Sequence, residues 1–249
     1  MIRNIISGLK AYGNSFNYLA NLGLWKYFGI PMLISLGLFL LIGLSSWGLG
    51  DDLGDWMAGA WVWDWGKETV TTLSHILGSM AIILLGVVLY KNLVLALSAP
   101  FMSPVSEKIE KELTGTVSGK LHNRYWVQLW RALRLNMRNL GMELMLTLLF
   151  FLLGLVPVIG LASPVLIFAV QAYYAGFGNM DYTLERHMSL SESTRFVRAN
   201  RGMAIGNGIV FMLMLIIPVI GVVLVLPLSV TASSHEVIHK LTQISDDQG

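Results

Sequence analysis

The chain has 249 residues, 55% of them hydrophobic and only 13% charged, with a net charge of +2 and no cysteine. A soluble domain carries about 25% charged residues, so this balance excludes an ordinary soluble enzyme and indicates one compact integral membrane domain. Without cysteine, disulfides, thiolate catalysis and Cys-based metal sites are excluded as well.

Residues 1–28 read as an amphipathic helix on the membrane surface. Ile5, Leu9, Tyr12, Phe16 and Leu19 recur at three- and four-residue steps, and Arg3, Lys10 and Lys26 supply charge. This segment is too long and too polar to be the start of a cleavable signal peptide. Residues 29–97 hold two spanning helices. The first, from Gly29 to about Leu49, has Pro31 in its opening turn, where a missing N–H costs nothing. A loop over 51–66 carries Asp51, Asp52, Asp55 and Asp64 among Trp56, Trp61, Trp63 and Trp65, a tryptophan density that belongs at a membrane–water interface. The second helix is expected from about Glu68 to Leu97; His75 in its outer part reads as a packing residue.

Residues 98–139 are polar and basic, with Lys108, Lys111, Lys120, Arg124, Arg131, Arg134 and Arg138. Within them Trp126, Leu129, Trp130, Leu133, Met137 and Leu140 mark one apolar helix face resting on the membrane. Two long apolar runs follow, 140–178 and 202–234, each interrupted by Pro-Val-Ile-Gly and a later proline. The turn residues are Pro157, Gly160 and Pro164 in the first run and Pro218, Gly221 and Pro227 in the second. Proline removes a backbone donor, and an adjacent glycine favours reversal. The halves are about 16–18 residues in the first run and about 16 and 13 in the second, at or below spanning length. Two re-entrant hairpins, or two pairs of short spanning helices, satisfy this pattern. Between the runs, 179–201 is polar; Ser189-Leu-Ser-Glu192 is a capping box, and Arg195, Arg198 and Arg201 follow it. Residues 235–249 form a polar tail. All the basic segments share one side if each broken run returns to the face it left, which puts both termini in the cytoplasm.

Three patterns could carry chemistry. Ser103 is a good N-cap and Pro104 a good first helical residue, so Met102, Ser103, Pro104, Val105, Ser106 and Glu107 could start a helix whose free N–H groups cradle an anion. Ser163-Pro164 repeats that pairing inside an apolar run. Arg131, Arg134, Arg138, Arg195, Arg198 and Arg201 would form a basic vestibule, or would meet anionic headgroups. Glu143, just inside the first broken run, is expected to reach towards Arg138 or Arg195. His235-Glu236-Val237-Ile238-His239 matches the zinc-peptidase H-E-x-x-H pattern. It needs a third ligand, for which His122, His187, Asp246 and Asp247 are the remaining choices, so no metal is expected.

Several segments, in order, resemble the CysZ-type sulfate permeases and the wider etoposide-induced membrane-protein superfamily. They are Gly23-Leu-Trp-Lys-Tyr-Phe-Gly-Ile-Pro31; Ala99-Pro-Phe101 with Glu107 and Leu113-Thr-Gly115; residues 157–160 with Pro164; Asp181-Tyr182 with His187; and Pro218 with Pro227. The resemblance implies an all-α fold with two long transmembrane helices, two partially penetrating hairpins and amphipathic surface helices, in a bacterial inner-membrane homo-oligomer. It also implies sulfate uptake feeding cysteine synthesis, with no cofactor, no nucleic acid and no enzymatic activity. Trp25-Lys26 stands where the sulfate branch carries paired arginines, and Ser103-Pro-Val-Ser106 where it carries a Gly-Leu-rich turn. The expected function is therefore a permease for a small inorganic oxyanion, sulfate foremost, with Lys26 and the Met102 to Glu107 turn as the anion site. A non-transporting scaffold in the lipid bilayer is the alternative, and a zinc metallopeptidase the third.

Overall fold

The computed structural model describes residues 2–59, 65–117, 125–154, 161–215 and 220–246. Among them the regular elements are all helical. They are α1 (Ile2–Asn21), a 3-10 turn (Leu24–Tyr27), α2 (Gly29–Ala58), α3 (Lys67–Thr114), α4 (Tyr125–Gly154), α5 (Ser163–His187), α6 (Leu190–Ala199), α7 (Arg201–Leu215) and α8 (Ile220–Asp246). Three stretches are long and apolar enough to cross a membrane: the 3-10 turn with α2, α3, and α4. The chain is an all-α membrane protein.

Several boundaries differ from expectation. The first part of the expected acidic loop is helical: α2 runs on to Ala58 and takes in Asp51, Asp52, Asp55 and Trp56, while Trp61, Trp63 and Asp64 lie outside the described residues. No helix begins at Ser103, because α3 is one helix of 48 residues with Pro100 and Pro104 inside it. The amphipathic segment of the basic region joins the first apolar run in one helix, α4. α4 is described to Gly154, and residues 161–162 form a turn before α5 begins at Ser163; α7 is described to Leu215 and α8 from Ile220. Pro164 sits in the first turn of α5, Gly221 in that of α8, and Pro227 inside α8. Pro157, Gly160 and Pro218 lie outside the described residues.

The chain divides into two compact units, Leu33–Val94 and the pair of segments Met1–Met32 and Leu95–Gly249. In the first, α2 and α3 run antiparallel through small residues. A Cβ on Gly50 would fall 2.1 Å from Ser79 Oγ, one on Gly54 2.5 Å from His75 Cα, and one on Gly78 2.5 Å from the Gly50 carbonyl. Ser46 Oγ donates to the Ser79 carbonyl at 3.1 Å, and His75 Nε2 meets Asp55 at 2.8 Å. This contact is why the acidic residues stay helical: the glycines let the helices approach closely enough for His75 to reach Asp55. Leu33, Phe39, Leu44, Trp47 and Leu85 point outward, as a lipid-facing surface requires.

The second unit is built on α5 and α7. A Cβ on Gly176 would lie 1.9 Å from the Ala204 carbonyl, and one on Gly208 1.7 Å from that of Ala172. Ala172-x3-Gly176 therefore runs antiparallel to Ala204-x3-Gly208, backbone against backbone. Gly176→Ala will force the helices apart and cost about 1–3 kcal/mol, read as a lower unfolding midpoint in detergent.

α1 is part of this unit rather than only a surface helix. Gly8 meets Gly206 and Asn207, and Tyr12 OH bonds the Asn207 carbonyl at 2.9 Å and Ser229 Oγ at 2.6 Å. Its buried face runs through Tyr12, Ser15 and Leu19, while Leu9 and Phe16, expected on the same side, are exposed. Asn207 also bonds Asn179 (2.8 Å) and the Ser229 carbonyl (3.0 Å), so one amide ties α5, α7 and α8 together. Beside this polar knot lies an apolar core including Leu135, Phe177, Met180, Leu184, Phe196 and Val197.

Candidate functional site

The polar residues of α3, α4, α5 and α6 converge within the second unit. Each proline of α3 deletes one backbone rung, at the carbonyls of Ala96 and Pro100, and side chains bond other carbonyls of the same stretch. Ser103 Oγ reaches the Ala99 carbonyl (3.1 Å), Ser106 Oγ that of Ser103 (3.0 Å), and Tyr182 OH that of Leu95. Ser103 and Ser106 are both buried. Ser103 also donates to the Glu185 carboxyl, and Ser106 to the Tyr182 carbonyl at 2.8 Å. The N–H cradle expected from Met102 to Glu107 is therefore not formed, since those groups belong to the helix ladder and the hydroxyls are turned into α5.

Next to them lies a buried charge network. Arg186 Nη2 and Nε contact Glu110 Oε2 at 2.8 and 3.2 Å, and His187 Nε2 contacts Glu110 Oε1 at 3.2 Å. The Arg186 and Glu110 side chains are 3% and 2% exposed. Arg131 grips Asp181 with two bonds of 3.1 and 2.8 Å, and donates to the Met188 carbonyl and Ser193 Oγ at 2.8 Å each. Arg131 is thus a structural clamp between α4, α5 and α6, not a vestibule residue. Burial, with added repulsion from Asp181, pushes the Glu185 carboxyl up to about 7 against the pull of Ser103, Arg131 and Arg186.

Glu185 makes stability depend on pH. Between about pH 4.5 and 7 the unfolded chain loses this proton while the folded chain keeps it. The stabilisation is complete below that window and lost as pH rises through it. Glu185→Gln should flatten the fall of the unfolding midpoint between pH 5 and pH 7.5 relative to wild type.

The other arginines expected at a vestibule separate into two groups. Arg138 of α4, Arg198 of α6 and Arg201 of α7 all lie within electrostatic range of Tyr173 on α5. Arg138 bonds Thr194 at 2.7 Å and stands 6.0 Å from the Phe177 ring centre. Arg198 and Arg201 are exposed. Arg134 and Arg195 are exposed as well, Arg195 lying near Glu192 instead. Glu143 is buried and faces Tyr174, as Arg138 does. Lys26 is exposed on the 3-10 turn and sits 5.4 Å from the Tyr27 ring centre, with Lys108 5.8 Å from the same ring. Lys26 and Lys108, the residue after Glu107, therefore both approach the Tyr27 ring.

His235 and His239 lie on α8 beside a cavity, and Glu236 is hydrogen-bonded to Ser7. Among the described residues no three His, Asp or Glu side chains stand together as a metal site. His187 is held by Glu110, and His122 lies outside the described residues.

The model of the sulfate transporter CysZ/etoposide-induced protein 2.4 family matches residues 11–225. The chain belongs to this family. No curated protein matches it. Membership agrees with the resemblance seen in the quoted segments, and it places the protein in a family that contains sulfate transporters. Asp181 and His187, two residues of those segments, are members of the buried charge network. Glu110, Glu185 and Arg186 were not singled out by any motif. For Glu185 and Arg186 the signal is the density of charge over 181–187 in an otherwise apolar helix, and Glu110 has no such signal.

Proposed function

We propose that this family member is a permease for a small inorganic oxyanion, with sulfate as its substrate. The carrying observation is the convergence of Arg138, Arg198 and Arg201 from three helices on Tyr173. Three cations acting on one side chain raise the local anion concentration and favour approach of a divalent oxyanion. Lys26 with Lys108 adds a second cationic point. In this reading Arg138, Arg198 and Arg201 form the vestibule, the broken runs 140–178 and 202–234 are hairpins that return to their own side, and both termini face the cytoplasm of a bacterial inner-membrane homo-oligomer. Transport proceeds without a cofactor and without catalysis, and serves sulfate assimilation.

One observation favours a non-transporting scaffold. Ser103 and Ser163 are buried, Ser163 Oγ donating to the Phe150 carbonyl at 2.9 Å. Neither hydroxyl is offered to a solvated path. Uptake of labelled sulfate by proteoliposomes separates the two readings. Saturable uptake above protein-free vesicles, reduced by Lys26→Ala, is the permease outcome; uptake equal to that of protein-free vesicles leaves the scaffold.

A further inference from the structure

The H-E-x-x-H segment faces a cavity of about 420 Å³ that neither the vestibule nor the buried charge network uses. Its walls come from four parts of the second unit: Ser7 on α1, Asn200 between α6 and α7, Met203 on α7, and His235, Glu236, His239, Lys240 and Gln243 on α8. His235 and His239 are one turn apart, as are Glu236 and Lys240, so two adjacent rows of α8 line the space. We propose that this cavity is a second oxyanion site, separate from the permeation path, in which Lys240 and the two imidazoles hold a phosphate-class group.

The charge inventory selects that ligand. Lys240 is the fixed cation, its Nζ resting 3.4 Å from Gln243 Oε1, a weak contact that an oxyanion would replace. Glu236 is the one carboxyl in the lining and is occupied by Ser7. Burial raises its pKa, so it gives up its negative charge more readily than a surface glutamate. Asn200 and Gln243 also line the space, although Asn200 Nδ2 already donates one N–H to the Phe196 carbonyl at 3.0 Å. The titratable groups around His235 are His239, Glu236 and Lys240 on its own helix, with Tyr18 of α1 at 5.8 Å between ring centres. Burial, then repulsion from His239, lowers the His235 pKa, which disfavours charge on that ring. A bound oxyanion offsets both effects. Binding therefore draws in a proton, and affinity must rise as pH falls, by up to about tenfold per pH unit for each proton taken up.

The group can belong to a free solute or to a lipid headgroup, because α1 is amphipathic and carries exposed Ile6, Leu9 and Phe16. The full-length protein in neutral detergent is titrated with inorganic phosphate at pH 6 and pH 8, following the unfolding midpoint. In a second arm it is placed in nanodiscs of phosphatidylcholine with and without phosphatidic acid. We expect a saturable rise in the midpoint, larger at pH 6, that falls at least about tenfold in apparent affinity in His239→Gln/Lys240→Met. Both positions are solvent-accessible, and the comparison of pH 6 with pH 8 in wild type needs no variant at all. A response to phosphate identifies a solute site, and a response to phosphatidic acid alone identifies a headgroup site. Arg138→Gln/Arg198→Gln should leave the response intact while impairing sulfate flux, so the two readings fail separately. No response in either arm, an equal response at both pH values, or one unchanged in the double variant would overturn the proposal.

Discussion

Arg186→Met will destabilise the protein by about 3–5 kcal/mol, because it leaves the Glu110 carboxylate buried without its counter-charge. The loss is large because Arg186 does more than pair with Glu110. Its Nη1 donates to the Tyr182 carbonyl at 2.9 Å and to Ser106 Oγ, so its removal also strips bonds from α3 and from its own helix. His187 at 3.2 Å compensates only in part, since the ring is charged only when protonated. Glu110→Gln should produce a similar loss by stranding the guanidinium. The double replacement Glu110→Leu/Arg186→Met should recover much of the stability, because an apolar pair of similar volume carries no desolvation penalty. Thermal unfolding in a single detergent reads all three. If the double variant is as unstable as the sum of the singles, the two groups do not act as a pair.

Arg138→Gln/Arg198→Gln should lower sulfate uptake at least about tenfold without moving the unfolding midpoint by more than a degree or two. Arg198 is exposed, and the bond from Arg138 to Thr194 is one that glutamine can partly keep. The effect is electrostatic, so it should be largest at low ionic strength and shrink as salt rises to about 1 M, where the screening length is about 3 Å. Arg134→Gln, which removes an exposed charge that is not among those acting on Tyr173, serves as the control with near-normal uptake. The corresponding change at Arg131 would not be informative. Its guanidinium holds Asp181, Ser193 and Met188 together, so its loss would perturb folding rather than flux.

What could be read from the residue order follows from the range of the interactions involved. The two long spanning helices and the capping box at Ser189 depend on local composition and spacing, and both appear in the structure. Ser103-Pro104 was misread for a physical reason. A Ser-Pro pair is a good helix start where the upstream residues are free to leave the helix. Here Tyr182 and Glu185 of α5 hold that stretch in place from outside. The acidic run from Asp51 to Asp55 looked like a loop because its helical form depends on Gly50 and Gly54 meeting α3. The charge network was legible only at its edges. Asp181 and His187 stood out through the family segments, whereas Glu110 and Arg186 are 76 residues apart and nothing local links them. The arginines were recognisable as a group, but only the packing of α4, α6 and α7 around Tyr173 divides the clamp, Arg131, from the converging set.

Initial-rate sulfate uptake into proteoliposomes, with wild type, Arg138→Gln/Arg198→Gln and protein-free vesicles measured side by side at low salt, is the most direct test of the oxyanion-permease reading. It predicts saturable uptake by wild type and at least about a tenfold lower rate in the double variant. Wild-type uptake equal to that of protein-free vesicles, or equal uptake by wild type and the variant, would contradict it.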